Sequence, residues 1–302
     1  MSKVKGEKKS RKHLWRRALI IIACITAVLF VLKAYHQFML PREAKLLVPT
    51  GQLVEVGGAM LHVHAEGVQG DKPAIVLMSG AGTVAPVYDF APLTKLLAED
   101  YRVIVIEKRG YGFSDISQRS RDIDTILSET REALSLAGEH GPFILIPHSM
   151  SGVEALYWAQ CYPEEVEAII GLDMAIPESY EHLPQATKNP LLAVGRVAFW
   201  FGLHRIPGIY PINTQGLMDS EAEMQRLLLY RNAGNEVFFM ESDAVYASAD
   251  KVEENPMPKT PMLLFSSNGK EIGAFWVPLQ ETFAQQNGCE FILLDCGHYL
   301  HS

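Results

Sequence analysis

The chain has 302 residues, of which 48% are hydrophobic, and a net charge of −8, which suits one large α/β domain or two small ones. Its charge is unevenly distributed: residues 1–35 carry nine Lys and Arg and a single acid, whereas the rest carries 18 basic and 34 acidic residues. The part of the chain after residue 35 is therefore strongly acidic. This argues against nucleic acid as a partner, because binding phosphates requires a basic surface.

The N-terminus combines a basic tail, residues 1–17, with an apolar run. Fifteen uncharged residues run from Ala18 to Leu32, and a semi-apolar segment continues to Leu40. As a helix the uncharged run spans only about 22 Å of a bilayer core of about 30 Å, so the continuation is needed to cross it. We expect an uncleaved transmembrane signal anchor over residues 18–40, with the tail cytoplasmic and the body extracytoplasmic. A cleaved signal peptide and a buried or peripheral helix are the alternatives.

The four cysteines follow no disulfide or zinc pattern. Cys24 lies in the apolar run, and Cys289 and Cys296 bracket a predicted strand that separates them too far for a disulfide. No cysteine spacing matches a zinc site. We therefore expect neither a disulfide framework nor a metal or other cofactor.

The body, residues 48–302, opens with two alternating runs, Gln52 to Val56 and Met60 to Ala65, whose Gly-Gly connection predicts an antiparallel hairpin. Continuous apolar runs follow, separated by segments with helical spacing. They are Ala74 to Met78, Val103 to Ile106, Phe143 to Ile146, Ala168 to Leu172 and Met262 to Phe265, with a last strand from Glu290 to Leu294. Strands buried on both faces have this pattern, so the sequence predicts an α/β fold with an open, mostly parallel sheet and helices on both faces.

Ligands of such sheets bind beyond the carboxyl ends of the strands. A glycine-rich turn, residues 79–83, follows the first parallel strand, and the third parallel strand leads directly into Ser149 and a helix-like segment. A strand, a tight turn and a helix around a serine match the nucleophile elbow, in which the serine Oγ is exposed on a strained turn. Pro147 and Ser151 occupy the two glycine positions of the usual Gly-x-Ser-x-Gly pattern.

The order of these motifs resembles the α/β-hydrolase fold. The hairpin, the glycine-rich turn, the sequence Arg-Gly-Tyr-Gly-Phe-Ser at 109–114, the serine elbow and a late Gly297-His298 cover the chain from about Gln52 onward. The resemblance implies a helical cap at about residues 177–252, whose many aromatic residues predict a lid over an apolar pocket. It also implies a helix after the final histidine, whereas the sequence stops at Ser302.

A serine nucleophile needs a base to take its proton and an acid to orient that base. By the resemblance, Ser149 is the nucleophile and His298, just after the last strand, is the base. The acid is either Asp173, after the fourth parallel strand, or Glu271, just beyond the fifth. We favour Asp173, because a lysine adjoins Glu271.

The negative charge that develops on the substrate also needs hydrogen-bond donors. By position, the donors are the backbone N–H groups of Ala81 and Met150, with Gly82 in place of Ala81 if the turn is shifted. Two further histidines lie nearby in sequence. His148 is expected to point away from the cavity, and His301 is the weaker candidate for the base.

Together these residues predict a membrane-anchored serine hydrolase that cleaves an ester, or an amide, lactone or, less readily, a peptide, through an acyl-enzyme. The apolar content of the predicted cap favours an apolar acyl substrate. The alternative function is a binding or signalling module that keeps the fold without turnover. Pro147 in the elbow and the short sequence after His298 are the grounds for that alternative.

Overall fold

The computed structural model describes residues 2–185, 188–210 and 212–301, with side chains from residue 15 onward. The basic side chains before residue 15, and residues 186, 187 and 211 of the predicted cap, lie outside the described part of the chain.

An eight-stranded mixed sheet forms the centre of the protein. Its order is β1-β2-β4-β3-β5-β6-β7-β8, in which β2 runs antiparallel to β1 and β4 and all other neighbours are parallel. The strands are β1 (Gln52–Val56), β2 (Ala59–Glu66), β3 (Ala74–Met78), β4 (Val103–Glu107), β5 (Phe143–Pro147), β6 (Val166–Leu172), β7 (Met262–Ser266) and β8 (Glu290–Leu293). The predicted hairpin and parallel strands are confirmed, with every strand end within two residues of its predicted position.

The described helices are α1 (Ser2–Glu43), α2 (Pro86–Asp89), α3 (Ala91–Leu97), α4 (Ile123–Leu136), α5 (Ser151–Cys161), α6 (Pro190–Trp200), α7 (Asp219–Asn232), α8 (Glu236–Glu253) and α9 (Trp276–Asn287). They cover both faces of the sheet. Alternate residues of β3 enter different cores: Val76 and Met78 pack in one apolar cluster, and Ile75 and Leu77 pack in the other. Burial of both faces explains why the strands are continuously apolar.

The segment between β6 and β7, which we call the insertion, contains α6, α7 and α8. It lies against the loops that follow β3 and β4. The Asn232 amide donates to the carbonyl oxygens of Val84 and Gly112, both at 2.8 Å, and the Phe238 ring packs on Gly82. The insertion is therefore placed over the carboxyl ends of the strands, where ligands of such sheets bind.

Among the described residues, one helical stretch, Trp15–Glu43, is long and apolar enough to cross a membrane. It lies near the N-terminus, its mean hydropathy reaches 2.5, and its most apolar window is not buried against the body. Signal sequences and signal anchors share these properties.

Candidate active site

Ser149 lies on a sharp turn between β5 and α5. Its φ of 54° is in the left-handed region, which is unfavourable for a residue with a Cβ. Two backbone hydrogen bonds hold this turn, because the Ser149 carbonyl accepts from Ala175 N at 2.7 Å and from Gly152 N at 3.0 Å. The turn also requires a glycine opposite it, since a Cβ at Gly80 would lie 2.7 Å from the Cβ of Ser149.

The two departures from the usual elbow pattern are accommodated. Pro147 is the last residue of β5 and still pairs with Met78, while the next residue, His148, donates its N–H to the Met78 carbonyl at 2.9 Å. Successive residues of a strand donate to opposite neighbours, so the N–H that Pro147 lacks faces β6, where the continuous pairing with β5 ends at Leu145 and only an isolated bridge, His148 to Leu172, follows. The proline therefore lies in the interruption between the continuous ladder and this bridge.

Ser151 is fully buried, and its single O–H lies within hydrogen-bond distance of two carbonyl oxygens, those of Met78 at 2.7 Å and His148 at 2.9 Å. The position that requires a glycine is the next one, Gly152, because there the main chain passes close to Ala175. A Cβ at Gly152 would lie 2.2 Å from the Ala175 carbonyl oxygen. Ser151 thus replaces a glycine where the structure leaves room for a small hydroxyl.

Asp173 and His298 meet at the carboxyl ends of β6 and β8. His298 Nδ1 lies 2.6 Å from Asp173 Oδ2. The other carboxylate oxygen, Oδ1, accepts from Trp276 Nε1 at 2.7 Å and from Ser267 N at 2.8 Å. Burial of Asp173 opposes its ionisation, but the hydrogen bonds from His298, Trp276 and Ser267 outweigh burial and hold its pKa below the usual range. Asp173 is therefore a buried, ionised partner of the imidazole.

Glu271, the alternative acid, contacts the main chain of His298 instead of its ring. Glu271 Oε2 accepts from His298 N at 2.9 Å. The adjoining Gly297 allows this contact, because a Cβ there would lie 2.8 Å from Glu271 Oε1.

His148 lies behind the site, where its ring centroid is 4.6 Å from that of His298. His148 Nε2 is 3.1 Å from the His298 carbonyl oxygen, so Nε2 carries the proton and donates it. Burial, followed by the nearby His301 and His298, lowers the pKa of His148 well below 6.5 and keeps the ring neutral. His148 and Glu271 together hold both backbone groups of His298, a pairing that no sequence pattern indicated.

His301 faces a different carboxylate. Its Nε2 lies 2.9 Å from Asp89 Oδ2, and its ring packs on Phe90. In the described part of the chain, no cluster of three or more His, Cys, Asp and Glu side chains is arranged to hold a metal ion.

A cavity of about 360 Å³ joins the predicted site residues to the insertion. Its lining includes Ser149, His298 and the two predicted oxyanion residues, Ala81 and Met150. Its other walls are mostly apolar and include Leu183, Leu192, Phe238, Val245, Tyr246 and Ile272. A pocket of this size and lining suits a small or medium-sized apolar group.

A buried polar network ties the glycine-rich turn to the insertion. Gly82 N donates to the Tyr111 hydroxyl at 3.2 Å, and that hydroxyl donates to Glu241 on α8 at 3.1 Å. Lys108 Nζ bonds both Glu241 and Glu154. Burial works against the charge of Lys108, but the two carboxylates outweigh it and raise its pKa. The turn that carries Ala81 is therefore fixed to α8.

The sequence and fold place this chain in a known family. The chain belongs to the α/β hydrolase family, whose model matches residues 75–302. Its relatives include the Bacillus subtilis (strain 168) protein YbdG, which is 35% identical over 267 residues, covering 85% of this chain and 82% of YbdG. Epoxide hydrolase 4 of Mus musculus is 28% identical over 129 residues, 42% of this chain and 35% of that protein.

Among solved structures, the enol-lactonase of Burkholderia xenovorans LB400 is similar, with a TM-score of 0.60 and 20% identity over 82% of this chain and 93% of the lactonase. This likeness supports the fold and confirms the resemblance predicted from the motifs.

Proposed function

We propose that the protein is a serine hydrolase that cleaves an ester, or an amide or lactone, through an acyl-enzyme on Ser149. The observation that carries the proposal is the 2.6 Å contact between His298 Nδ1 and the buried carboxylate of Asp173, beside a cavity that contains Ser149. A neutral imidazole held in this way carries its proton on Nδ1 and leaves Nε2 free to act as a base.

In the proposed reaction, Ser149 Oγ attacks the substrate carbonyl carbon while His298 Nε2 takes the hydroxyl proton. The carbonyl oxygen becomes an oxyanion, which the backbone N–H groups of Ala81 and Met150 stabilise. His298 then gives its proton to the leaving group as the acyl-enzyme forms. Water, activated by the same imidazole, hydrolyses the acyl-enzyme and restores Ser149. Throughout, Asp173 stays ionised and stabilises the imidazolium.

A serine nucleophile favours acyl transfer over epoxide opening. Attack of a serine hydroxyl on an epoxide would form an ether, which water does not readily cleave, so the enzyme would not turn over. Attack on an ester or lactone forms an ester, which water cleaves to regenerate Ser149. The name of the murine relative is therefore a weaker guide to the substrate than that of the lactonase.

We also propose that α1 is an uncleaved signal anchor, with the basic tail cytoplasmic and the hydrolase domain extracytoplasmic. The eight Lys and Arg of residues 1–17 support this orientation, since positive residues flanking a span stay inside. The insertion would act as a lid, because it forms most of the apolar wall of the cavity.

The test is reaction with a fluorophosphonate probe, which labels an activated serine. Wild type should be labelled and Ser149→Ala should not. Ser242→Ala is the matched control, because Ser242 lines the same cavity and should keep labelling. Equal labelling of wild type and Ser149→Ala would contradict the proposal. A folded wild type that neither labels nor cleaves acyl esters of any chain length would favour a binding module.

A further inference from the structure

One half of α6 is apolar and exposed. Leu191 is 76% exposed, Val194 66%, Val197 57% and Trp200 52%, and Ala193 lies between them. At 100° per residue these positions cover about 180° of the helix, with no charged side chain among them. A surface helix of a water-soluble domain carries polar residues on this side, so water is an unfavourable environment for the exposed half of α6.

The opposite half of α6, apart from the exposed Arg196, faces the active-site region. Leu192 lines the cavity that contains Ser149, and both Leu192 and Phe199 line an adjoining cavity beside Ala81. The helix is therefore a thin wall, with the cavities on one side and an uncovered apolar face on the other.

The end of α6 contacts the apolar helix α1. The Phe30 and Phe201 rings are 5.9 Å apart, and Lys33 Nζ lies 4.1 Å from the centre of the Trp200 ring. A Cβ at Gly202, whose φ is 78°, would lie 2.7 Å from the Cβ of His36, so the glycine permits this close approach.

A buried ion pair continues the contact beyond Gly202. Arg205 bonds both carboxylate oxygens of Glu43, at 2.7 and 2.6 Å, and its Nε donates to His36 Nδ1 at 2.7 Å. Two charged hydrogen bonds of this geometry fix the angle between α1 and the insertion.

The contact with α1 also gives the depth of α6. Lys33 lies in the last third of the proposed span, residues 18–40, where its long stem lets the ammonium group reach the lipid–water boundary. Trp200 lies beside that ammonium group, and Trp is enriched at this boundary. The exposed face of α6 is thus continuous with the lipid-facing surface of α1.

We propose that the exposed face of α6 docks on the lipid bilayer that α1 spans. In this position α6 lies at the membrane interface, with its apolar half among the acyl chains and its inner half against the cavity. The hydrolase site would then open next to lipid. The inference rests on the span in the proposed function, and it does not depend on catalysis by Ser149.

Label depth in the full-length protein tests the docking. The four cysteines are replaced, and a nitrobenzoxadiazole fluorophore is attached to Val197→Cys, whose side chain is exposed and whose replacement leaves the core unchanged. The matched control is Leu136→Cys, 54% exposed at the end of α4, where the next residue, Ala137, accepts a hydrogen bond from Gln52 at the start of β1, away from the carboxyl ends of the strands. A second control, Ile22→Cys, lies in the span. Each protein is reconstituted in vesicles of phosphatidylcholine and phosphatidylglycerol with brominated acyl chains.

The label at 197 should be quenched several-fold more than the label at 136. Bromines near the headgroup should quench it better than bromines near the methyl end, since interfacial helices lie about 5–10 Å into the boundary. Equal, weak quenching at 197 and 136 would overturn the docking. The docking would also be overturned if the label at 197 were shielded from water only at a high ratio of protein to lipid, because a second copy of the protein would then cover α6. An unquenched label at 22 would show that the span itself is wrong and would remove the basis of the inference, whatever the activity of Ser149.

Discussion

Replacing Asp173 by Asn should abolish most of the activity through the histidine tautomer. Ser267 N and Trp276 Nε1 both donate to Oδ1, so the single oxygen of Asn stays on their side. The amide NH₂ then faces His298 Nδ1. Because Nδ1 must accept a hydrogen bond from this NH₂, the imidazole proton moves to Nε2. A base with its proton already on Nε2 cannot deprotonate Ser149, and a loss of about 10⁴ in rate, about 5.5 kcal/mol, is expected from such a change.

Glu271→Gln is the matched control, because it removes the other candidate carboxylate. Gln keeps an oxygen that can accept the His298 N–H now bound at 2.9 Å by Glu271. The variant keeps this exposed hydrogen bond and loses only the negative charge of its acceptor. The expected cost is about 1 kcal/mol, or a factor of roughly 5 in rate.

The second-order rate of fluorophosphonate labelling measures both variants without knowledge of the substrate, and cleavage of a nitrophenyl ester gives a second readout. Thermal unfolding should first show that both variants are folded. A loss near 10⁴ in Glu271→Gln together with a small loss in Asp173→Asn would refute the assignment of the acid, since about 10⁴ is the loss expected for removing the orienting carboxylate.

Three further predictions concern the surroundings of the site. Below pH 6.5 the wild type should lose stability because burial lowers the pKa of His148, so that the unfolded chain takes up a proton that the folded protein excludes. His148→Gln should reduce this loss by up to about 1.4 kcal/mol per pH unit. Unfolding measured as a function of pH checks this, and an unchanged slope of unfolding free energy against pH would argue against it. Tyr111→Phe leaves Gly82 N–H unpaired and should cost about 1–3 kcal/mol in urea unfolding, whereas an unchanged midpoint would mean that the tether contributes nothing. A double-mutant cycle of Arg205→Gln and Glu43→Gln should give a coupling of about 0.5–3 kcal/mol in detergent, and additive effects would contradict the contact of α1 with the insertion.

The sheet and the sharp turn at Ser149 were predictable because their signals are local. A strand buried on both faces needs a continuous apolar run, and an elbow needs a serine among small residues at the end of such a strand. These constraints act over a few residues, so one sequence shows them. The position of His298 after the last strand is also visible, although its pairing is not.

The choice between Asp173 and Glu271 depends on which carboxylate contacts the His298 ring and which accepts from the His298 main-chain N–H. Both residues follow strand ends, and the difference arises from where Trp276 and Ser267 place their donors around Asp173. The bond from His148 to the His298 carbonyl joins residues 150 positions apart. Contacts of this kind leave no pattern in the sequence, because any polar residue in the right place could make them.

The contact between α1 and the insertion has a practical consequence for preparing the protein. Cutting the chain before the hairpin to obtain a water-soluble form would remove Phe30, His36 and Glu43 together. The Phe201 and His204 rings that α1 covers would then join the bare half of α6 in one apolar surface. Such a surface favours self-association, so a shortened protein should stay monodisperse only with polar substitutions on α6 or in the presence of detergent.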